Sequence, residues 1–130
     1  MFCPAKTADP MTPSQTIAAL YASPEPLFAT RRENVRLNTQ SFLLRNLAEY
    51  MLTDDLDTAI QTTTKPLIDG QRVATNQANI TVEQRTDFET LVDLAIADAV
   101  VAVHDVANGG VVGFDAICFA AATRLGIPIA

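Results

Sequence analysis

Apolar positions along this chain recur with a helical rather than a strand period, most clearly between residues 81 and 108. At 100° per residue, Phe88, Leu91, Val92, Ala95, Ile96, Ala99, Ala102, Val103 and Val106 fall within one arc of about 140°, as a core-facing helix requires. Thr81-Val82-Glu83-Gln84 opens this helix with a capping-box pattern, a threonine and a glutamine placed to bond each other's backbone N–H groups. Asn108-Gly109-Gly110 closes it, because these residues accept the left-handed cap conformation. Leu94, Val100 and Val101 lie outside the arc, so the far side of the helix is apolar as well, which points to a neighbouring subunit.

The remaining elements follow the same logic. Thr12-Pro13-Ser14-Gln15 starts a short helix, with proline where its missing N–H costs nothing and Ile17, Ala18, Leu20 and Tyr21 as its apolar residues. Ser23-Pro24 stops it, since the residue before proline avoids the helical region. No Gly or Pro interrupts Leu27 to Met51, so one long helix or two shorter ones can form there. Asn38-Thr39-Gln40-Ser41, a run of weak helix formers, is the expected break. Thr53-Asp54-Asp55-Leu56 offers another start, with acids where the helix dipole favours them and helix running toward Thr62. Residues 62–80, with three successive threonines, Lys65-Pro66 and Asp69-Gly70, read as an irregular segment, and a loop of that length implies a task. A last helix spans about Val111 to Leu125 and stops at Gly126-Ile127-Pro128. The expected architecture is an all-α antiparallel bundle of about four helices. It forms one domain over residues 12–130, behind an extended N-terminal arm at 1–11.

Composition narrows the class without naming a function. A chain of 130 residues with 48% hydrophobic and 18% charged side chains has the material for one packed core, which excludes a disordered or collagen-like chain. No apolar run reaches the roughly 18 to 20 uncharged residues of a membrane span. The start lacks the apolar stretch of a signal peptide, and Cys3 and Cys118 read as free thiols, so a reduced, non-secreted setting is expected. The net charge of −6 is unevenly spread. Residues 1–53 carry five basic and four acidic side chains, whereas residues 54–130 carry four basic and eleven acidic ones. Opposite-sign halves favour head-to-tail contacts, which make rings or open helices.

Candidate chemistry is sparse. His104 is the single histidine and sits near a helix C-terminus, which favours its charged form over a neutral base. One histidine and two distant cysteines do not build a zinc site. Asp54, Asp55 and Asp57 resemble half a calcium loop but lack its glycine and closing glutamate, so they read as a solvated helix start. No catalytic set, metal site or cofactor motif emerges. Two basic features remain. Arg31-Arg32-Glu33-Asn34-Val35-Arg36 concentrates three arginines, whose forks suit phosphates and carboxylates alike. Arg72 stands beside Asp69 in the segment read as irregular.

Taken in order, several segments resemble the coat proteins of rod-shaped helical plant viruses, the tobamovirus type. They are Thr12-Pro13-Ser14-Gln15, Arg45-Asn46-Leu47-Ala48-Glu49, Leu56-Asp57, Asp69, Arg72-Val73, Asn76-Gln77-Ala78-Asn79, Thr81, Arg85-Thr86-Asp87, and Gly109-Gly110 before Phe114. The resemblance implies an antiparallel four-helix bundle that stacks into a helical tube around single-stranded RNA. It places Asp69 and Arg72 at the RNA and makes Glu49 and Asp57 a pair of carboxylates brought together between subunits. Like charges held close store repulsion that a change of pH or solvent can release. The stretch between Glu49 and Asp57 is shorter than in typical members, and tryptophan is absent.

With that resemblance, the expected function is that of a non-enzymatic capsid subunit of the virion and host cytoplasm. It would package RNA and associate through surfaces that include Arg31, Arg32, Arg36 and Arg45, without a cofactor or a membrane. Two rivals stand beside it. One is a small-ligand or cofactor-binding helical protein with a site near His104, Cys118 and Phe119. The other is a nucleic-acid-binding regulator that uses Arg31, Arg32 and Arg36.

Overall fold

The computed structural model describes residues 11–50 and 55–128. Within them the chain forms five helices: α1 (Pro13–Tyr21), α2 (Leu27–Ala48), α3 (Leu56–Gln77), α4 (Val82–Asn108) and α5 (Phe114–Leu125). The all-α class agrees with the hydrophobic pattern, but the expectation of about four helices with an irregular segment at 62–80 is corrected. Five helices form an irregular bundle, and residues 62–77 belong to α3. The expected arm lies outside the described residues except for Met11, as do Cys3 and the Thr53-Asp54 part of the α3 start.

The physical reason for the correction lies in α3. Pro66 and Gly70 are helix breakers by propensity, yet both are exposed. Proline there loses one backbone bond without burying its consequences. The same helix carries Leu56, Ala59, Ile60, Leu67 and Ala74, which pack into the common core. That burial outweighs weak propensity, as tertiary contacts commonly do. Asp55 caps the helix by accepting from the Thr58 N–H and hydroxyl, at 2.8 and 3.0 Å. A Cβ added at Gly70 meets nothing within 4 Å. Gly70→Ala is therefore expected to raise stability by about 0.5–1 kcal/mol, read as a higher urea midpoint.

α2 also differs from expectation, running unbroken through Asn38-Thr39-Gln40-Ser41. Gln40 is fully buried there, and its amide donates to the Ala95 carbonyl of α4 at 3.0 Å. This bond from α4 holds α2 across the stretch of weak helix formers Asn38, Thr39 and Ser41. The capping boxes at Thr12/Gln15 and Thr81/Gln84 both form as the sequence indicates. α4 ends at Asn108, though Gly110, with φ 99°, takes the positive-φ position rather than Asn108 or Gly109.

The helix directions follow from the contacts between them. Arg32 meets Asp87 and Gln40 meets Ala95, the same offset twice, so α2 and α4 run parallel. α3 joins α4 through four residues and returns Asp57 to His104 at the far end, so these two are antiparallel. α4 is the central element. Its predicted inward residues are all buried except Leu91, which is half-buried. The largest fully buried aliphatic side chains, Leu43, Leu44, Leu47 and Val103, come from α2 and α4.

Candidate functional site

The arginine cluster of α2 is taken up mainly by contacts within the chain. Arg32 grips both carboxylate oxygens of Asp87, its Nε donating at 3.2 Å, and the Tyr21 hydroxyl donates to the same carboxylate at 2.6 Å. α1, α2 and α4 meet at this point. The Arg32 fork holds the Asp87 carboxyl below the usual carboxylate range, with a smaller contribution from the Tyr21 hydroxyl, while partial burial opposes both. Burial first, and then Asp87, push the Tyr21 phenol upward. Arg36 binds Glu33 through both branches of its fork, at 2.8 and 2.6 Å, and donates to Gln40 Oε1 at 3.0 Å. Arg31 donates to Ser23 Oγ at 2.6 Å and more weakly to the Ala19 carbonyl at the end of α1. Three arginines close in sequence therefore do not make one open basic patch.

The residues placed at RNA by resemblance lie on one helix. Asp69 and Arg72 are both exposed on α3, but Asp69 accepts from Lys65 Nζ at 2.8 Å, one turn earlier. Arg72 has no carboxylate partner among the described residues. It borders a small cleft with Ile68, Gln71, Thr75, Phe88, Glu89, Val92 and Asp93. Beyond it, Asn76, Gln77 and Asn79 are exposed where α3 turns into α4. The suggested carboxylate pair is not formed within the chain. Glu49 is the exposed C-cap residue of α2, whereas Asp57 lies in the first turn of α3 with His104 Nε2 at 3.5 Å. Arg45 is exposed in the last turn of α2.

The suggested ligand site near His104 and Cys118 does not coalesce. His104 is on the surface with Asp57, while Cys118 is fully buried, its thiol pushed up to about 12 by desolvation and by nearby Asp115. Phe119 projects outward, 66% exposed. Among the described residues no group of three His, Cys, Asp or Glu side chains is placed to hold a metal ion, and no helix is long and apolar enough to cross a membrane.

What the fold does build is uncovered apolar surface in two places. A cleft of about 680 Å³ is bounded by α1, α2 and α3, with Met11, Ile17, Leu20, Val35, Phe42 and Leu67 among its walls. It adjoins a second cleft of about 510 Å³ through Pro13, Phe42, Leu67 and Gln71. Phe42, common to both, is 55% exposed. The other surface lies on α4 and α5: Leu94 and Val101, seven residues apart on one side of α4, and Phe119 of α5 are 59%, 57% and 66% exposed. Arg124 of α5 reaches Asp105 of α4 at 3.5 Å. Val100, expected on the outer side, instead packs against the core.

No protein-family model, curated protein or solved structure matches the chain. The surfaces have to be judged on their own chemistry. Sequence reading missed the roles of Asp87, Tyr21 and Gln40, each of which depends on a partner more than 50 positions away.

Proposed function

We propose that this protein is a structural subunit of the coat type, which associates with copies of itself into rings or helical filaments and packages single-stranded RNA. The observation that carries the reading is exposed apolar surface in two unlike places. The cleft side uses Phe42, and the α4–α5 side uses Leu94, Val101 and Phe119. A subunit with two unlike sticky faces extends head to tail rather than closing as a symmetric dimer. The uneven charge acts in the same direction. Outside the ion pairs made within the chain, Arg31 and Arg45 stand against Glu25 from Pro13 to Ala48, whereas Arg85 stands against Glu83, Glu89, Asp93, Asp98 and Asp115 from Val82 to Leu125.

RNA is the cargo this reading assigns to the corner between α3 and α4, where Arg72 stands among exposed amides. Arg72 forms no ion pair among the described residues, although Glu89 and Asp93 border its cleft, so its fork is available to a phosphate, and amides suit bases and sugars. Electron microscopy of concentrated protein, with and without single-stranded RNA, tests the whole reading. Rods or stacked rings are expected, and a strict monomer under both conditions refutes it. Arg72→Glu is expected to weaken RNA uptake several-fold and to lower its sensitivity to salt, because one phosphate contact is lost. Unchanged uptake in a filter-binding titration removes Arg72 from the RNA surface.

A further inference from the structure

We infer that the two apolar surfaces are each other's partners, the α4–α5 face of one copy seating Phe119 against Phe42 at the α1–α2–α3 cleft of the next. This rests on the self-association reading above and names its interface. Shape provides the first argument: the cleft is concave, and Phe119 stands proud of α5 with two-thirds of its surface in solvent.

Charge provides the second. On α2, Arg45 follows Phe42 by three residues, about 4.5 Å along the helix and about 60° around it. Arg31 lies three turns earlier, on nearly the same side as Phe42, and lines the cleft. Its hydrogen bonds go to a hydroxyl and a carbonyl, so no carboxylate offsets its charge among the described residues. On α5, Asp115 precedes Phe119 by four residues, about 6 Å along the helix and about 40° around it. Asp115 is exposed and has no ion-pair partner among the described residues. An aromatic flanked by an arginine on one surface therefore faces an aromatic flanked by an aspartate on the other, at nearly the same spacing. Burying the two rings together sets Asp115 opposite Arg45, and the opposite register would leave both charges unpaired.

Because the surfaces differ, each contact leaves one free cleft and one free face at the ends of the pair, and growth continues. The test uses two full-length variants, Phe42→Glu and Phe119→Glu, followed by sedimentation velocity over a concentration series. Both positions are exposed, and unchanged circular dichroism and melting establish that each variant folds. Each variant alone is expected to associate at least about thirtyfold more weakly than the wild type, as for loss of a central aromatic anchor. Mixed together, they are expected to form a one-to-one pair and nothing larger, since one intact cleft meets one intact face. Wild-type assembly that either variant retains undamaged overturns this interface while leaving self-association standing. A mixture that stays monomeric, or a wild type that stops at a symmetric dimer, also overturns it. A monomeric wild type removes the self-association reading and this interface together. A small apolar ligand retained by the wild type in native mass spectrometry and lost only in Phe42→Glu, with assembly unchanged, assigns the cleft to that ligand and overturns the proposal.

Discussion

Leu44→Ala is expected to lower the stability of the fold by about 3 kcal/mol, within the usual 2–5 kcal/mol for a buried leucine. Leu44 is entirely inaccessible, on the side of α2 that enters the core. Much of that core is alanine: Ala59, Ala95, Ala99, Ala102, Ala121 and Ala122 let helices approach closely. Large apolar volume therefore falls to a few side chains, Leu43, Leu44 and Leu47 foremost. Removing one leaves a cavity that neighbouring alanines have no atoms to fill. For a domain of this size the melting temperature should drop by on the order of 10 °C. Urea denaturation of Leu44→Ala beside Leu94→Ala checks the assignment. Leu94 is mostly exposed, so its loss should cost well under 1 kcal/mol of fold stability and act on association instead. Equal losses at the two positions would contradict the division between core and outer surface.

That division was largely legible from the chain, and the reason is periodicity. α4 displays its inward arc because 27 residues sample it many times, and both capping boxes are local patterns complete within four residues. Local patterns mislead where a distant contact prevails. Thr62 to Gln77 contains a proline and a glycine, yet the spacing of Ile60, Leu67 and Ala74 carries the helix through. Asn38 to Ser41 looks like a break until Gln40 meets the Ala95 carbonyl.

The candidate surfaces divide in the same way. That α4 has apolar residues beyond its core arc is visible in the sequence, but which of them remain exposed is not. Leu94 and Val101 stay in solvent, while Val100, between them in sequence, is partly buried against the core. The arginine run likewise looks like one basic feature. The Arg36–Glu33 pair, three residues apart on α2, follows from helical spacing, but the contacts of Arg32 with Asp87 and of Arg31 with Ser23 depend on what lies alongside α2, which that spacing does not encode.

Asp87→Asn is expected to cost about 1–2 kcal/mol at neutral pH and almost nothing in strong acid. Charge-assisted hydrogen bonds contribute roughly 1.5–3 kcal/mol, but both members of the Arg32–Asp87 pair keep more than a third of their side chains in solvent, and screening lowers the figure. The pH dependence follows from the depressed carboxyl. A group whose folded pKa lies below its unfolded value contributes its full stabilisation above the unfolded value, near 4 for aspartate. It loses that contribution as the pH falls through the lower, folded value. The wild type should therefore lose its advantage over Asp87→Asn below about pH 4, and the two denaturation curves should converge in stronger acid. The Asp55 cap at α3, also depressed by its bonds to Thr58, is present in both proteins, so some acid sensitivity remains in the variant. Tyr21→Phe separates the two contacts at this carboxylate. It removes the phenol bond but keeps Arg32, so a smaller loss of about 1 kcal/mol with most of the acid dependence intact is expected. Tyr21 is also the last residue of α1, which walls the cleft, so weakening its hold on Asp87 loosens that wall. Hydrogen exchange should then rise in α1 of Asp87→Asn before it rises in Leu43 to Leu47. Uniform acceleration through both helices would place the cleft wall and the core in one cooperative unit.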